Sequence, residues 1–403
     1  MKTKRFCVTI FLDIHLFKGV IFLKILLMSV KAGYGHHSTA KAIIEKFSAC
    51  GHECEMLDIF DYINPHLGNT IQDGYLLSTK YLSDIYGKVY DTMAEKDTPY
   101  KKYSPASLVS KLVSHKLRSY VELFSPDLVI GTHSYAGVVM STLTERGIIS
   151  CPTIGVVTDF TVHPFWESTA LDYYVIPDKR LTYEMVKKGI PAEKVLPIGI
   201  PIRRQFETKL PQDEARRQLG LADKKTILIM MGSMGYGNIK KPLIEIDESD
   251  EDFQVVCICG SNERMRRAID KYPWRKDIYA YGFMENIDIM MDSADIIVSK
   301  PGGLTTSETL AKGLPMITMN PIPGQEDKNL MFLLNNGAVA TVNETYTMGD
   351  VIHQLFGFPE RLEELKVCAR RLGKPSSTQD LYEFCEKNFF AKPAEIENSL
   401  PAR

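Results

Sequence analysis

The sequence predicts an α/β protein in which two parallel-sheet domains face a central cleft. Apolar runs of strand length alternate with helical runs along the chain, and that alternation implies parallel sheets. The pattern restarts after the Pro-containing segment Gly199-Ile200-Pro201-Ile202-Arg203, and glycine-rich turns stand at strand-to-helix junctions in both halves. Doubly wound folds bind ligands beyond the carboxyl ends of parallel strands, where such turns fall.

In the first half the expected strands are Lys24–Val30, Glu53–Ile59, Asp127–Thr132, Thr153–Thr158, Tyr173–Ile176 and Val195–Ile198, each a short apolar run closed by turn residues. A helix follows the first of them over Thr39–Cys50. Between Asn64 and Phe124 lies a long insertion rich in Tyr, Leu and Lys at helical spacing. In the second half the expected strands are Thr226–Met231, Phe253–Cys259, Ile278–Tyr281, Asp295–Val298 and Pro315–Met319. The resulting division is an extension over residues 1–23, a first domain over 24–200, a second over 201–374, a helix over 375–390 packing back toward the first domain, and a solvated tail over 391–403. The extension is apolar from Phe6 to Leu23 but interrupted by Asp13, His15 and Lys18, and it is read as an upstream start that folds poorly, with a weak membrane-surface anchor as the alternative.

A chain of 403 residues is long enough for two domains that each bury a core, and its formal charge of −2 argues against nucleic acid as a partner. The eight cysteines are scattered mostly through apolar segments, which suits buried thiols in a reducing cytosol. Cys50-Gly51-His52-Glu53-Cys54 has metal-like spacing, but no second ligand pair follows it, so a helix-to-strand turn is the reading kept. Asp250-Glu251-Asp252 lies in an acidic run before a strand and reads as a solvated loop.

The chemistry concentrates in Ser299-Lys300-Pro301-Gly302-Gly303-Leu304-Thr305-Thr306-Ser307-Glu308. Two glycines let the backbone approach a ligand, and the N–H groups and dipole of a helix start attract phosphate. Glu308, expected in the first turn, repels phosphate but suits the hydroxyls of a ribose diol. The block therefore reads as a nucleotide site. Gly232-Ser233-Met234-Gly235-Tyr236-Gly237-Asn238 and Ala32-Gly33-Tyr34-Gly35-His36-His37-Ser38 form two further turns of this kind.

Taken together, several segments resemble the diacylglycerol glycosyltransferases, that is, the monogalactosyldiacylglycerol synthases and processive diacylglycerol glucosyltransferases, with the peptidoglycan N-acetylglucosaminyltransferase as a distant relative. They are Gly35-His36, Thr158-Asp159 through His163 to Trp166, Gly199-Ile200-Pro201, Gly232 to Gly237, Lys300 to Gly303 with Glu308, and Pro323 to Glu326 with Asn329. The resemblance covers roughly residues 24–385. It implies a GT-B fold of two Rossmann-like domains, the first for the lipid acceptor and the second for the donor, and transfer of a hexose from a UDP-sugar with inversion. It also implies a lipid acceptor, action at the inner face of a membrane from the cytoplasm, and no cofactor or metal.

His36 matches the family's catalytic histidine, and an imidazole at a helix N-terminus suits a general base because the dipole disfavours its cation. Backbone N–H groups at Ser233–Gly237 and Gly302–Thr305 can hold a departing diphosphate. The resemblance assigns donor contacts to Gly232, Ser233, Gly235, Tyr236, Gly237, Phe283 (uracil), Lys300, Pro301, Gly302, Gly303, Leu304, Thr305 and Glu308, and sugar-hydroxyl contacts to Gln325, Glu326 and Asn329. His133, Asp159, His163 and Trp166 are expected to face the cleft from the acceptor side. From Leu76 to Tyr120, eight Lys/Arg oppose four Asp/Glu, which suits an anionic membrane surface. A UDP-sugar epimerase, a peptidoglycan-type N-acetylglucosaminyltransferase, a non-catalytic lipid- or nucleotide-binding module, and a dinucleotide oxidoreductase using Gly33, Gly35 and Asp58 are the alternatives. The last leaves the Lys300 to Asn329 block unexplained. Donor sugar, acceptor identity and oligomeric state are open at this level.

Overall fold

The computed structural model describes residues 22–31, 35–63, 105–231 and 239–390. Most of the extension, the turn residues Gly33 and Tyr34, most of the Asn64–Phe124 insertion, the loop Gly232–Asn238 with its expected diphosphate contacts, and the tail after Phe390 lie outside the described residues.

The described residues form two six-stranded sheets with helices packed on them. The first comprises β1 (Lys24–Ser29), β2 (Glu53–Asp58), β3 (Leu128–Gly131), β4 (Thr153–Val156), β5 (Tyr173–Val175) and β6 (Val195–Leu196) in the spatial order β2-β1-β3-β4-β5-β6. The second comprises β7 (Thr226–Met230), β8 (Gln254–Ile258), β9 (Ile278–Tyr281), β10 (Ile296–Ser299), β11 (Met316–Thr318) and β12 (Val339–Thr341) in the order β12-β11-β10-β7-β8-β9. Every neighbouring pair is parallel, as the strand–helix alternation requires. In each sheet the strand order reverses beside the first strand, between β1 and β3 and between β7 and β10, and those are the crevices where ligands of such sheets bind. The edge strand β12 has no counterpart among the expected strands, because Val339-Ala340-Thr341 is too short to show a period of its own.

Helices cover both faces. In the first half these are α1 (Gly35–Ala49), α2 (Ile59–Ile63), α3 (Pro105–Phe124), α4 (Ser134–Glu145) and α5 (Thr182–Lys187). In the second half they are α6 (Gln212–Gln218), α7 (Lys240–Asp247), α8 (Glu263–Lys271), α9 (Ile287–Ser293), α10 (Gly303–Ala311), α11 (Gln325–Asn335), α12 (Met348–Gly357), α13 (Pro359–Leu372) and α14 (Ser377–Phe389). β1 sends Leu26 and Met28 to the α2–α4 side and Ile25 and Leu27 to the α1 side, so a strand that is apolar throughout is buried on both faces. β7 divides in the same way, with Leu228 and Met230 on one face and Ile227 and Ile229 on the other.

The last helix belongs to the first domain's core. Leu381, Tyr382 and Cys385 of α14 are buried beside Ile25, Ile43 and Phe47, with Tyr382 edge-on to Phe47 at 5.2 Å. Each large apolar side chain buried there contributes about 1.5–3 kcal/mol. The chain therefore crosses between domains twice, and the crossings are bonded together: Ser377 Oγ donates to Ile200 O at 2.8 Å and Thr378 Oγ1 to Ile202 O at 2.6 Å. Gly199 sits at this junction with φ of +104°, and a Cβ there would lie 2.5 Å from Lys374 Cβ. Gly199→Ala is therefore expected to lower the unfolding free energy by about 1–3 kcal/mol, from the left-handed backbone and the clash, which chemical denaturation followed by circular dichroism would detect.

Candidate active site

His36 is the second residue of α1. Its Nδ1 lies 2.9 Å from Thr132 O at the end of β3 and 2.9 Å from Thr158 Oγ1 beyond β4. A carbonyl oxygen only accepts, so Nδ1 carries the proton and Nε2 keeps its lone pair. Desolvation, partly offset by the Thr132 bond and reinforced by the neighbouring His37, pulls the His36 pKa down to about 4, so the ring is neutral at ordinary pH. His37 turns the other way, and its Nε2 meets Asp58 Oδ2 at 2.9 Å. Asp58 Oδ1 in turn accepts from Phe60 N and Asp61 N at the start of α2. A carboxylate so occupied is a structural cap, which removes the residue that the dinucleotide reading needs for a ribose.

His133 and His163 lie close by. The His133 ring stands edge-on to His36 at 4.5 Å and caps α4, accepting from Tyr135 N at 3.0 Å. His163 caps the turn Pro164–Ser168, accepting from Phe165 N at 3.1 Å, and burial pulls its pKa down to about 3. Trp166 does not join them. Expected on the acceptor side, it is 2 % exposed and packs edge-on to Tyr174 within the first domain's core. A Cβ on Gly137 or Gly155 would come within 2.8 and 2.7 Å of its ring, so those two glycines make the slot that takes the indole out of the cleft.

Asp159 follows Thr158 and reaches across to the second domain. Its carboxyl accepts from Asn329 Nδ2 at 3.0 Å and from Gln325 Nε2, both on α11. Burial outweighs those two bonds and, with Glu326 nearby, pushes the Asp159 pKa up to about 7. Asn329 also donates to Pro301 O at 2.9 Å, and Glu326 Oε2 accepts from Ile322 N at 2.6 Å. Gln325, Glu326 and Asn329 are thus gathered around the loop from Lys300 to Gly303.

That loop ends β10 and opens α10, with Gly302 at the cap position and Gly303 as the first helical residue. Gly303 is pressed against the first domain: a Cβ built on it would fall 1.9 Å from Thr158 O. Next to it Leu304 faces Gly35, whose own Cβ would be 3.7 Å from Leu304 Cβ. The start of α10 and the start of α1, which bears His36, are therefore in contact. Since α10 begins at Gly303, Glu308 falls in its second turn and not the first. It is buried, and that burial, relieved in part by Arg203 Nη2 at 3.9 Å from Oε1, pushes its pKa up to about 7. Phe283, just beyond β9, is 70 % exposed at the carboxyl end of the second sheet.

Arg203, Thr132 and Thr158 were not singled out from the sequence as site residues. The two threonines are separated from His36 by 96 and 122 positions, whereas Arg203 stands in the crossing segment and is readable there as a charge beside a glycine-proline turn. The metal-like segments lie elsewhere. His52 is buried among the rings of Phe47, Tyr382 and Phe390. The 250–252 run precedes β8, at the opposite end of the sheet from the site, with Lys224 Nζ 3.5 Å from Asp252 and Lys276 Nζ donating to Glu251 O.

Comparison with known proteins matches residues 36–202 to the Monogalactosyldiacylglycerol (MGDG) synthase family and residues 226–369 to the Glycosyltransferase family 28 C-terminal domain. The first match ends at the domain junction, and residues 203–225 separate it from the second. The chain is 29 % identical over 364 residues to the processive diacylglycerol beta-glucosyltransferase of Bacillus pumilus, covering 89 % of this chain and 94 % of that protein. The chain thus joins a monogalactosyldiacylglycerol synthase family domain to a glycosyltransferase family 28 C-terminal domain, and over most of its length it is similar to diacylglycerol glycosyltransferases. The corresponding enzyme of Bacillus cereus strain AH187 is 28 % identical over 94 % of this chain and 97 % of its own length. Among solved structures, MurG of Acinetobacter baumannii superposes with a TM-score of 0.61 at 16 % identity, covering 91 % of this chain and 99 % of that one. The UDP-GlcNAc 2-epimerase of Neisseria meningitidis superposes with a TM-score of 0.57 at 15 % identity, covering 91 % and 100 %. These likenesses share the GT-B fold, in agreement with the fold class expected from the sequence, and say nothing more about chemistry.

The raised pKa of Asp159 has a sign that can be measured. Its folded value of about 7 lies above the ordinary carboxyl value of 3.8, so the folded state binds the extra proton and stability falls as pH rises between the two. Asp159→Asn removes that titration. Its stability relative to the parent is expected to improve from pH 4 to pH 7, at up to about 1.4 kcal/mol per pH unit within the window, in paired denaturation curves. A constant difference across that range would place the titration elsewhere.

Proposed function

We propose that this chain transfers a hexose from a UDP-sugar to the hydroxyl of a diacylglycerol-type lipid, with inversion at the anomeric carbon. The observation that carries the reading is the contact between the two half-sites: the start of α1, bearing a neutral His36, packs against the start of α10, bearing Gly302 and Gly303. Relatives over most of the chain are named diacylglycerol beta-glucosyltransferases, and a β-linked product from an α-linked nucleotide donor is the inverting outcome. The same names favour glucose as the donor sugar.

In this mechanism the acceptor oxygen attacks the sugar C1 while His36 Nε2 takes its proton, and the C1–O bond to the diphosphate breaks with both electrons leaving on UDP. The N–H groups at the start of α10 and the Lys300 ammonium hold the departing charge. A diphosphate brought beside His36 also favours the imidazolium, moving its pKa from about 4 toward working pH as the donor binds. Glu308 accepts from the ribose hydroxyls, Phe283 offers its exposed ring to the uracil, and Gln325, Glu326 and Asn329 address the sugar. No metal is required by this set of groups. The acceptor enters past His133, Asp159 and His163, with the protein peripheral on the cytoplasmic face and its basic insertion against anionic lipid.

Incubating the protein with UDP-glucose, UDP-galactose or UDP-N-acetylglucosamine, with and without diacylglycerol vesicles, and analysing the products tests this reading. A glycolipid is expected only when donor and lipid are both present. An epimerised nucleotide sugar without lipid product would overturn it. His36→Ala is expected to lower turnover by ~10² to 10⁴ while leaving UDP affinity within about twofold; retention of more than a third of the parent's turnover would remove His36 as base.

Glu308→Ala is expected to weaken UDP binding several-fold in calorimetric titration, since hydrogen bonds to a charged group are worth about 1.5–3 kcal/mol. Activity is expected to survive EDTA, and complete loss to chelator would point to a metal.

A further inference from the structure

One residue pair joins elements that the proposed reaction needs to act together. Thr158 is buried, and its Oγ1 lies 2.9 Å from His36 Nδ1. Its carbonyl oxygen is the atom that a Cβ on Gly303 would meet at 1.9 Å, so the same residue touches the base on one side and the first turn of α10 on the other. The next residue, Asp159, binds Gln325 and Asn329 of α11. Phe160, following in turn, lies in the second domain's core, 5.3 Å from the ring of Phe332. Three consecutive residues of a first-domain loop are therefore fastened to the second domain, and the first of them holds the imidazole.

We propose that Thr158 is a positioning residue for His36 and that the Thr158-Asp159 pair couples the orientation of the base to closure of the donor domain. The coupling rests on the proposed function, because it concerns how His36 is presented to an acceptor. Nδ1–H of His36 has two acceptors, Thr132 O and Thr158 Oγ1, which come from different strands. Thr132 belongs to the first domain alone. Thr158 moves with whatever α10 and α11 do to its loop. With the domains together both acceptors are in place, the Nδ1–H tautomer is fixed, and Nε2 faces outward as a lone pair. With them apart the ring keeps one acceptor, so its orientation and tautomer are less restrained. The base is thus set only in the closed form, in which the donor loop has also come up against the acceptor side.

The test pairs steady-state kinetics with the ¹⁵N spectrum of the His36 ring, assigned by comparison with His36→Gln, for the full-length protein and for Thr158→Val, Thr158→Ser and Asp159→Ala. The parent and Thr158→Ser, which keeps the oxygen, are expected to show a single tautomer protonated at Nδ1. Thr158→Val and Asp159→Ala are expected to show mixed or broadened tautomers and a 10- to 100-fold fall in kcat, with the donor KM for Thr158→Val within about threefold of the parent. A Thr158→Val protein with an unchanged ring spectrum and more than half the parent's kcat would overturn the positioning role. Asp159→Ala that raises the donor KM while leaving the His36 spectrum as in the parent would overturn the coupling. The spectra need no substrate, so a parent protein that makes no glycolipid would refute the proposed function while the ring data still decide the placement of His36.

Discussion

The site depends on one close approach, the backbone of Gly303 lying against Thr158 O. A side chain longer than hydrogen at residue 303 would drive a carbon to 1.9 Å from that oxygen, so the two domains meet at this point only because the residue is glycine. From the sequence, two glycines at a helix start read as room for a ligand's phosphate. The structure gives Gly303 a second use, in which the space left by the missing Cβ is filled by the other domain. Gly302 keeps the cap position, with the Glu326 carboxylate 3.6 Å from where its Cβ would stand.

Around that contact the polar groups are half-buried, apart from the buried Glu308. His36, His133 and His163 are held neutral by desolvation, whereas the same cause pushes Asp159 and Glu308 up to about 7. These shifts run in opposite directions with pH, yet each favours the uncharged form of its group. A cleft lined with uncharged imidazoles and half-protonated carboxyls is prepared for a ligand that brings its own charge. A nucleoside diphosphate does that.

Much of the fold was legible because its causes are local. A run such as Ile25–Met28, apolar at every position, is a strand buried on both faces, and a glycine pair between such a run and a helix marks a ligand turn whatever lies elsewhere in the chain. The position of the Gly302-Gly303 loop and of His36 at helix starts was readable on that basis. What was not readable depends on partners distant in sequence. Thr132 and Thr158 are ordinary strand-end threonines until the sheet brings them to His36. Trp166 shows the same limit from the other side: an indole suits a core or a binding face equally well, and its place was decided by Gly137 and Gly155, through side chains they lack. The edge strand β12 was missed because three residues carry no period.

The double crossing of the chain has a consequence for how the molecule can be divided. α14 lies beyond the second domain in sequence, but its Leu381, Tyr382 and Cys385 complete the layer over Ile25, Ile43 and Phe47. A fragment ending at the first crossing, near Gly199, would lack that layer and present its apolar floor to water, while a fragment beginning there would carry a surplus amphipathic helix with nothing to cover. The folding units of this protein are therefore discontinuous in sequence, and a new pair of termini opened in an exposed loop of the second domain would leave both of them whole.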